Sequence, residues 1–374
     1  MAVELKEVKN RRELKKYIYL PKKIHAGHKT WVPPLYGDEW KYYNPKKNRA
    51  FSYCDSILFL AYRGRQAAGR IMGLINRRYN ERHNLKTARF SYLETWEDPE
   101  AVQALLNQVE AWAKNKGMNR LVGPYAFTDQ DPQGFLIEGF EHRATIVTIH
   151  NYPWMPRLVE NAGYAKEVDY YVYQLEVPKE IPEIYKKAYE RVLKRSDFEV
   201  LKFRKKSEVK PWIRPALQIM NETFLEGGIY GYTLLDEQEM EDLAGRFRLI
   251  LDPRLLILVK KDDEPVSFFI GLPDMSEGLQ KAGGRLFPFG WYKILRAMKK
   301  TKQLDLLLGG IKGQYRGRGL DVLMAMTMIQ AAHELGLETV DTHSELESNV
   351  KMRSLMEKLG GKVYKRFRVY FKDL

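Results

Sequence analysis

Two hydrophobic periods divide this chain into elements. Alternating or continuous apolar runs predict strands at 3–9, 56–62, 67–75 and 87–96, with another starting at Arg120. Arg63-Gly64-Arg65 closes the second and third of these as a hairpin, and Trp31-Val-Pro-Pro-Leu reads as a rigid turn. Helical spacing covers 11–24, up to or broken near Pro21, and 99–116. The second helix carries Asp98 as its N-cap, Pro99 at its first position and Gly117 past its end. A linker and helix run from Glu176 to about Ser196, and then a similar order starts again. Residues 198–204 start the second copy, with helices expected at 210–225 and 237–251 and a hairpin from 255–260 and 266–272. A strand at 304–311 and a helix at 320–335 follow, then a strand from Glu338, a helix opening at Asn349 and stopping at Gly360, and a strand at 362–371.

The second half repeats the first in sequence as well as in order. Residues 158–173 align with 355–370 at a fixed offset of 197, with identities at Leu158, Glu160, Gly163, Val172 and Tyr173. The helices that end at Gly117 and Gly336 align at an offset of 219, so the first copy carries 22 extra residues within 124–152. We read two diverged copies of one α/β fold with a mixed (α+β) sheet, 1–178 and 179–374. The extra segment mixes polar and aromatic residues, including Thr128-Asp-Gln-Asp and His150-Asn-Tyr-Pro-Trp. It reads as an acceptor-site wall or as a surface loop.

Between the 304–311 strand and the following helix lies Gln314-Tyr-Arg-Gly-Arg-Gly319. A glycine-rich turn at a helix N-terminus offers free N–H groups and the positive end of the dipole, which suits phosphate. It is not a Walker A loop, having no Gly-Lys-Ser/Thr, and it lacks the third glycine of a dinucleotide fingerprint. The segment resembles the acyl-CoA pyrophosphate loop of the GNAT superfamily of N-acyltransferases, Arg/Gln-x-x-Gly-x-Gly/Ala. Gln314 to Gly319 matches fully, while Arg316-Gly-Arg-Gly-Leu-Asp321 fits the helix start better and places Asp321 where a small residue is usual. The end of the chain resembles the same family, with Asn349 opening a helix that closes on Glu-Lys-Leu-Gly-Gly. Met356 stands where many members have a tyrosine that protonates the leaving thiolate.

The resemblance implies acyl-CoA as co-substrate and direct transfer of the acyl group to a primary amine. It assigns Ile311, Gly313, Gln314, Arg316, Gly317, Arg318, Gly319, Leu320 and Asn349 to CoA. The candidate bases are His343, Glu345 and Asp321, the candidate acids Tyr315 and Tyr370, and each has a purely structural reading too. At the offset of 219 the loop 316–319 corresponds to Glu97-Asp-Pro-Glu100, whose carboxylates would repel a pyrophosphate. The first copy is therefore expected to be degenerate and the CoA site to lie in the second. The loop and the insert described below look like those of long bacterial tandem GNAT proteins, in whose wider set long-chain sphingoid amines are acceptors.

Composition limits the partners. A net charge of +14 favours anions, whether CoA phosphates, nucleic acid or acidic lipid. A single cysteine, Cys54, fits a reducing cytoplasm, and seven scattered histidines without metal spacing lead us to expect no metal. Neither a signal peptide nor a membrane span is expected. The stretch 283–302, with Gly-Arg-Leu-Phe-Pro-Phe-Gly-Trp-Tyr, is basic, aromatic and amphipathic. It suits peripheral membrane contact at the inner face, a cover for an acyl chain, or a helix packed on its own domain. The competing readings are a non-catalytic nucleic-acid-binding protein and a CoA-binding pseudoenzyme. Against the first, basic residues are spread over the whole chain and no nucleic-acid-binding motif occurs, so no specific nucleic acid is expected.

Overall fold

The computed structural model describes residues 2–195 and 197–374, so Met1 and the Ser196 end of the expected linker helix lie outside it. The first copy runs β1 (Val3–Glu7), α1 (Arg11–Ile24), α2 (Tyr36–Tyr42), β2 (Cys54–Arg63), β3 (Gln66–Asn76), α3 (Arg77–His83), β4 (Thr87–Thr95) and α4 (Pro99–Asn115). It continues with β5 (Arg120–Gly123), β6 (Phe135–Glu138), α5 (Trp154–Asn161) and β7 (Ala165–Glu176), after which α6 (Glu183–Arg195) links the copies. The second copy begins β8 (Phe198–Leu201), α7 (Lys206–Glu226), α8 (Glu237–Ile250), β9 (Leu256–Lys261) and β10 (Glu264–Pro273). Two helices, α9 (Ser276–Ala282) and α10 (Gly290–Lys300), then intervene before β11 (Gln303–Ile311), α11 (Leu320–Leu335), β12 (Thr339–Leu346), α12 (Val350–Lys358) and β13 (Lys362–Asp373).

Both copies join one 13-stranded sheet, ordered β1-β2-β3-β4-β5-β13-β7-β12-β11-β10-β9-β8, with β6 attached to β13. The order is the same from either end once the copies are exchanged. Each copy's last strand sits beside the other copy's fifth: β13 pairs with β5 from Tyr370↔Gly123 to Asp373↔Arg120, and β7 pairs with β12. The two exchanged strands pair with each other at the centre, Lys362↔Gln174 through Phe371↔Ala165. Their ranges are separated by the offset of 197 found in the sequence.

Alternation along the strands sends apolar side chains to both faces, and helices cover each. In the first copy, Phe59, Ile71 and Ile75 face α4 and α5, while Leu60, Met72 and Leu74 face α1 and α2. In the second copy, Phe268, Ile270 and Leu272 meet α7 to α10, and Val266 and Leu304 meet α11. Val32, Leu35, Ile146 and Val147 of the first copy pack into the α7–α10 cluster, so the extra segment bridges the copies. No helix among the described residues is long and apolar enough to cross a membrane.

Helix α1 runs through Pro21 rather than breaking there. Proline has no N–H for the carbonyl of Tyr17, four residues back. The buried guanidinium of Arg70 donates to that oxygen instead, at 3.0 Å.

Candidate functional site at the fork between β11 and β12

The parallel strands β11 and β12 pair only at their starts, Gln303–Asp305 against Thr339–Asp341. Beyond that, β11 stays with β10 and β12 with β7, so the two strands diverge. Both are irregular at the fork. Leu307 is skipped in the register with β10, where Ile270 meets Leu308 and Gly271 meets Leu306. Thr342 and His343 together oppose Tyr173, and His343 takes φ 62°, a strained value for a non-glycine residue. Its backbone N–H donates to Asp341 Oδ1 at 2.8 Å, and the Thr342 hydroxyl accepts from Tyr173 N at 3.0 Å. A strand edge freed this way presents unpaired peptide groups along the gap.

The glycine-rich turn closes the wide end of the fork. Helix α11 starts at Leu320 with Gly319 as N-cap at φ 84°, and no side chain caps it. Its first-turn N–H groups have no partners within the helix. A Cβ at Gly319 would lie 2.5 Å from Val192 of α6, so the linker helix packs directly on the turn. Arg316 folds back, its Nε donating to Ile311 O at 3.1 Å and its Nη2 3.6 Å from Glu226. Lys312 pairs with Glu264 and lies 3.6 Å from Glu222. A pyrophosphate would compete with these carboxylates for both cations. Arg318 is exposed and lies over the ring of Tyr315, which meets Phe198 edge-on at 5.9 Å. Gln314, Gly317 and Asp321 are exposed, and Gly313 lies against Glu226.

The candidate bases and acids do not converge on one point. Glu345 and Asn349 do meet: Asn349 Nδ2 donates to Glu345 Oε2 at 3.1 Å, while its Oδ1 caps α12 through Met352 N. Burial pushes the Glu345 carboxyl up to about 7, against the opposing effect of that hydrogen bond. Burial lowers the His343 imidazole, whose Nδ1 is buried without a partner. Tyr315 sits in the apolar cluster with α11 and α6. Tyr370 is in the first copy's core, donating to Glu160 at 2.9 Å.

At the base of the fork is a polar cluster that the sequence reading missed. Asp305 and Asp341, the last paired residues, are both buried, as is Lys365. Lys365 Nζ lies 3.7 Å from Asp341 Oδ2, which also accepts from Tyr364 OH. Asp305 Oδ1 accepts from Gln303 at 2.7 Å, and Oδ2 is buried without a partner. Burial, then Asp341 and Asp274, push the Asp305 carboxyl well above its ordinary range. The Tyr364 ring meets His142 of the extra segment edge-on at 4.9 Å. The available signal was a lone carboxylate inside the apolar run Leu304-Asp-Leu-Leu-Leu, which is costly unless it is used.

The first copy has the same fork, but it is filled. Strands β4 and β5 pair only over Thr87–Arg89. Tyr125 N then donates to Phe90 O at 2.8 Å, and Tyr125, Ala126 and Phe127 are buried. Helix α4 is capped by its own carboxylate, Asp98 accepting from Ala101 N at 3.0 Å, and Arg63 pairs with Asp98 and Glu100. That helix end has neither an open gap nor unmet positive charge. Among the described residues no group of three or more His, Cys, Asp or Glu is placed to hold a metal.

No family model matches the chain. A bacterial ceramide synthase from Caulobacter vibrioides is 29% identical over 374 residues, 98% of this chain and 96% of that protein. Protein YghO from Escherichia coli is 25% identical over 376 residues, 98% of this chain and 94% of that one. The tandem GNAT protein from the clavulanic acid biosynthesis pathway superposes with a TM-score of 0.55 at 12% identity, covering 99% and 98% of the two chains. Two copies of one strand and helix order, a fork closed by a glycine turn and this full-length superposition agree: the chain has the fold of a tandem GNAT protein.

Proposed function

We propose that the chain is an acyl-CoA-dependent N-acyltransferase with its acyl-CoA site in residues 179–374. The observation that carries this reading is the open fork ending in an uncapped, glycine-led helix, beside a first-copy fork that is filled and capped. Acyl-CoA is the co-substrate. Backbone groups of Ile311, Gly313 and Gln314 and of Gly317 to Leu320 would hold its pantetheine and pyrophosphate, with Arg316 and Arg318 adding charge-assisted contacts. Asn349 would orient Glu345. The acceptor is a primary amine whose neutral nitrogen attacks the thioester carbonyl, forming C–N as C–S breaks. Its proton passes to a carboxylate or imidazole, with Glu345 or His343 in reach of the fork. Met356 cannot protonate the departing thiolate.

The relative's name, a ceramide synthase, supports a long-chain amine of sphingoid type as acceptor. Such an acceptor resides in membranes.

The test is the thermal stability of the protein against CoA thioesters from acetyl to palmitoyl. Ligand at 100 times its Kd adds about 2.7 kcal/mol. The shift should vanish in Gly319→Glu and, without the Val192 clash, in Arg318→Glu. Absence of a shift with every thioester would sink the reading.

A further inference from the structure

Large apolar side chains are exposed along one short arc of the molecule. Leu286, Phe287, Phe289, Trp291, Tyr292 and Leu295 all fall within ten residues, with Phe287 80% and Phe289 70% exposed. Helix α10 is two-sided. Gly290, Ile294 and Ala297 face the core, Trp291 and Leu295 share an outward edge one turn apart, and Arg296 and Lys300 lie further round. Between Glu277 and Asp305 the sequence has no acidic residue, whereas Arg285, Lys293, Arg296, Lys299 and Lys300 are all exposed.

The platform is held firmly from behind. Gly278 lets α9 approach α10 so closely that a Cβ there would sit 2.6 Å from Ile294 Cα. Tyr36 N donates to Gly284 O at 2.9 Å, and Gln280 Nε2 donates to Lys29 O and Trp31 O at 2.9 and 2.7 Å. The aromatic edge is therefore a rigid outward surface rather than a loose tail. Glu277 of the adjoining α9 is already paired with Lys281, so the exposed aromatics are fringed by net positive charge. This matches a bilayer interface carrying anionic headgroups, where rings enter the acyl boundary and ammonium and guanidinium groups meet phosphate.

We propose that α10 and the turn 285–289 form a docking surface for an anionic bilayer, with Phe287, Phe289 and Trp291 inserted and the basic residues on headgroup phosphates. The platform precedes Gln303, whereas the glycine turn follows Ile311, so about 30 Å of strand separates them. Asp274, whose N–H donates to Gln303 O at 3.0 Å, links the platform to the Asp305–Asp341 end of the fork. A membrane-held amine would approach from that end. This last step rests on the acyltransferase reading, whereas the docking does not.

The test is co-sedimentation of the full chain with vesicles of phosphatidylcholine alone or mixed with phosphatidylglycerol. The protein should pellet with the mixed vesicles, and less so as salt rises. Phe287→Ser/Phe289→Ser/Trp291→Ser should abolish pelleting. Lys293→Gln/Arg296→Gln/Lys299→Gln/Lys300→Gln should weaken it on the order of a hundredfold or more. Because the altered side chains are exposed, both variants should keep the parent melting temperature and acyl-CoA shift, which separates this proposal from the site reading. Failure to pellet with any vesicle, or equal pelleting of all three proteins, would overturn it. So would a dimer dissociated by the serine substitutions, which would assign the face to a second copy.

Discussion

Glu345 and Asp305 show how burial ties chemistry to stability at single residues. A base acts when deprotonated, so with Glu345 near 7 kcat/KM should rise about tenfold per pH unit below 7 and level off above it. Glu345→Gln should remove that limb and cost roughly 10²–10⁴-fold in rate, whereas His343→Gln should leave the limb in place. A limb that survives Glu345→Gln rules this base out. Asp305 makes the opposite point about stability. Its folded pKa lies above its unfolded one, so its contribution is full below about 4 and is lost as pH rises through the folded value. Asp305→Asn should therefore melt higher than the parent at pH 8, with the gap closing toward pH 4. Equal melting curves at both pH values would refute the linkage. The apolar run around Asp305 hinted at its burial, but the partners of neither residue were legible in the sequence. Glu345 is raised by burial, against the opposing hydrogen bond from Asn349, and Asp305 by burial and then by Asp341, 36 positions away.

At the level of elements, the sequence was most readable where one local rule decided the outcome. Asp98-Pro99 foretold the start of α4 and Gly336 the end of α11, because caps act within a turn. The 11–24 helix was expected to end or break near Pro21 because the compensating donor, Arg70, comes from another strand. The short helices α2 and α3 and the strand β6 had no periodicity long enough to register. The contrast between the starts of α4 and α11 can be tested directly. Asp98→Ala should cost about 1 kcal/mol of stability through its lost cap and leave the KM for acyl-CoA unchanged. A raised KM would mean that the first copy also contributes to the CoA site.

For the molecule as a whole, the repeat was visible but its arrangement was not. An offset of 197 says that β7 and β13 are equivalent, and nothing in it says that each lies in the other copy's half of the sheet. The sequence boundary near residue 178 therefore cuts through a shared centre. Expressed alone, 1–178 lacks the β13 that pairs with β5, and 179–374 lacks the β7 that pairs with β12. Each should show no cooperative melting by circular dichroism, and co-expression should restore it. A half that melts cooperatively as a monomer would show that the exchange is dispensable.

The mirror order of the sheet also bears on ancestry. Two separate half-length chains, each lending its last strand to the other, would build the same sheet as a homodimer with two identical forks. In such a dimer every substitution appears twice, so neither fork can be closed without closing both. Joining the halves through α6 removes that constraint: one gene can then write Glu-Asp-Pro-Glu at one helix start and Arg-Gly-Arg-Gly at the other.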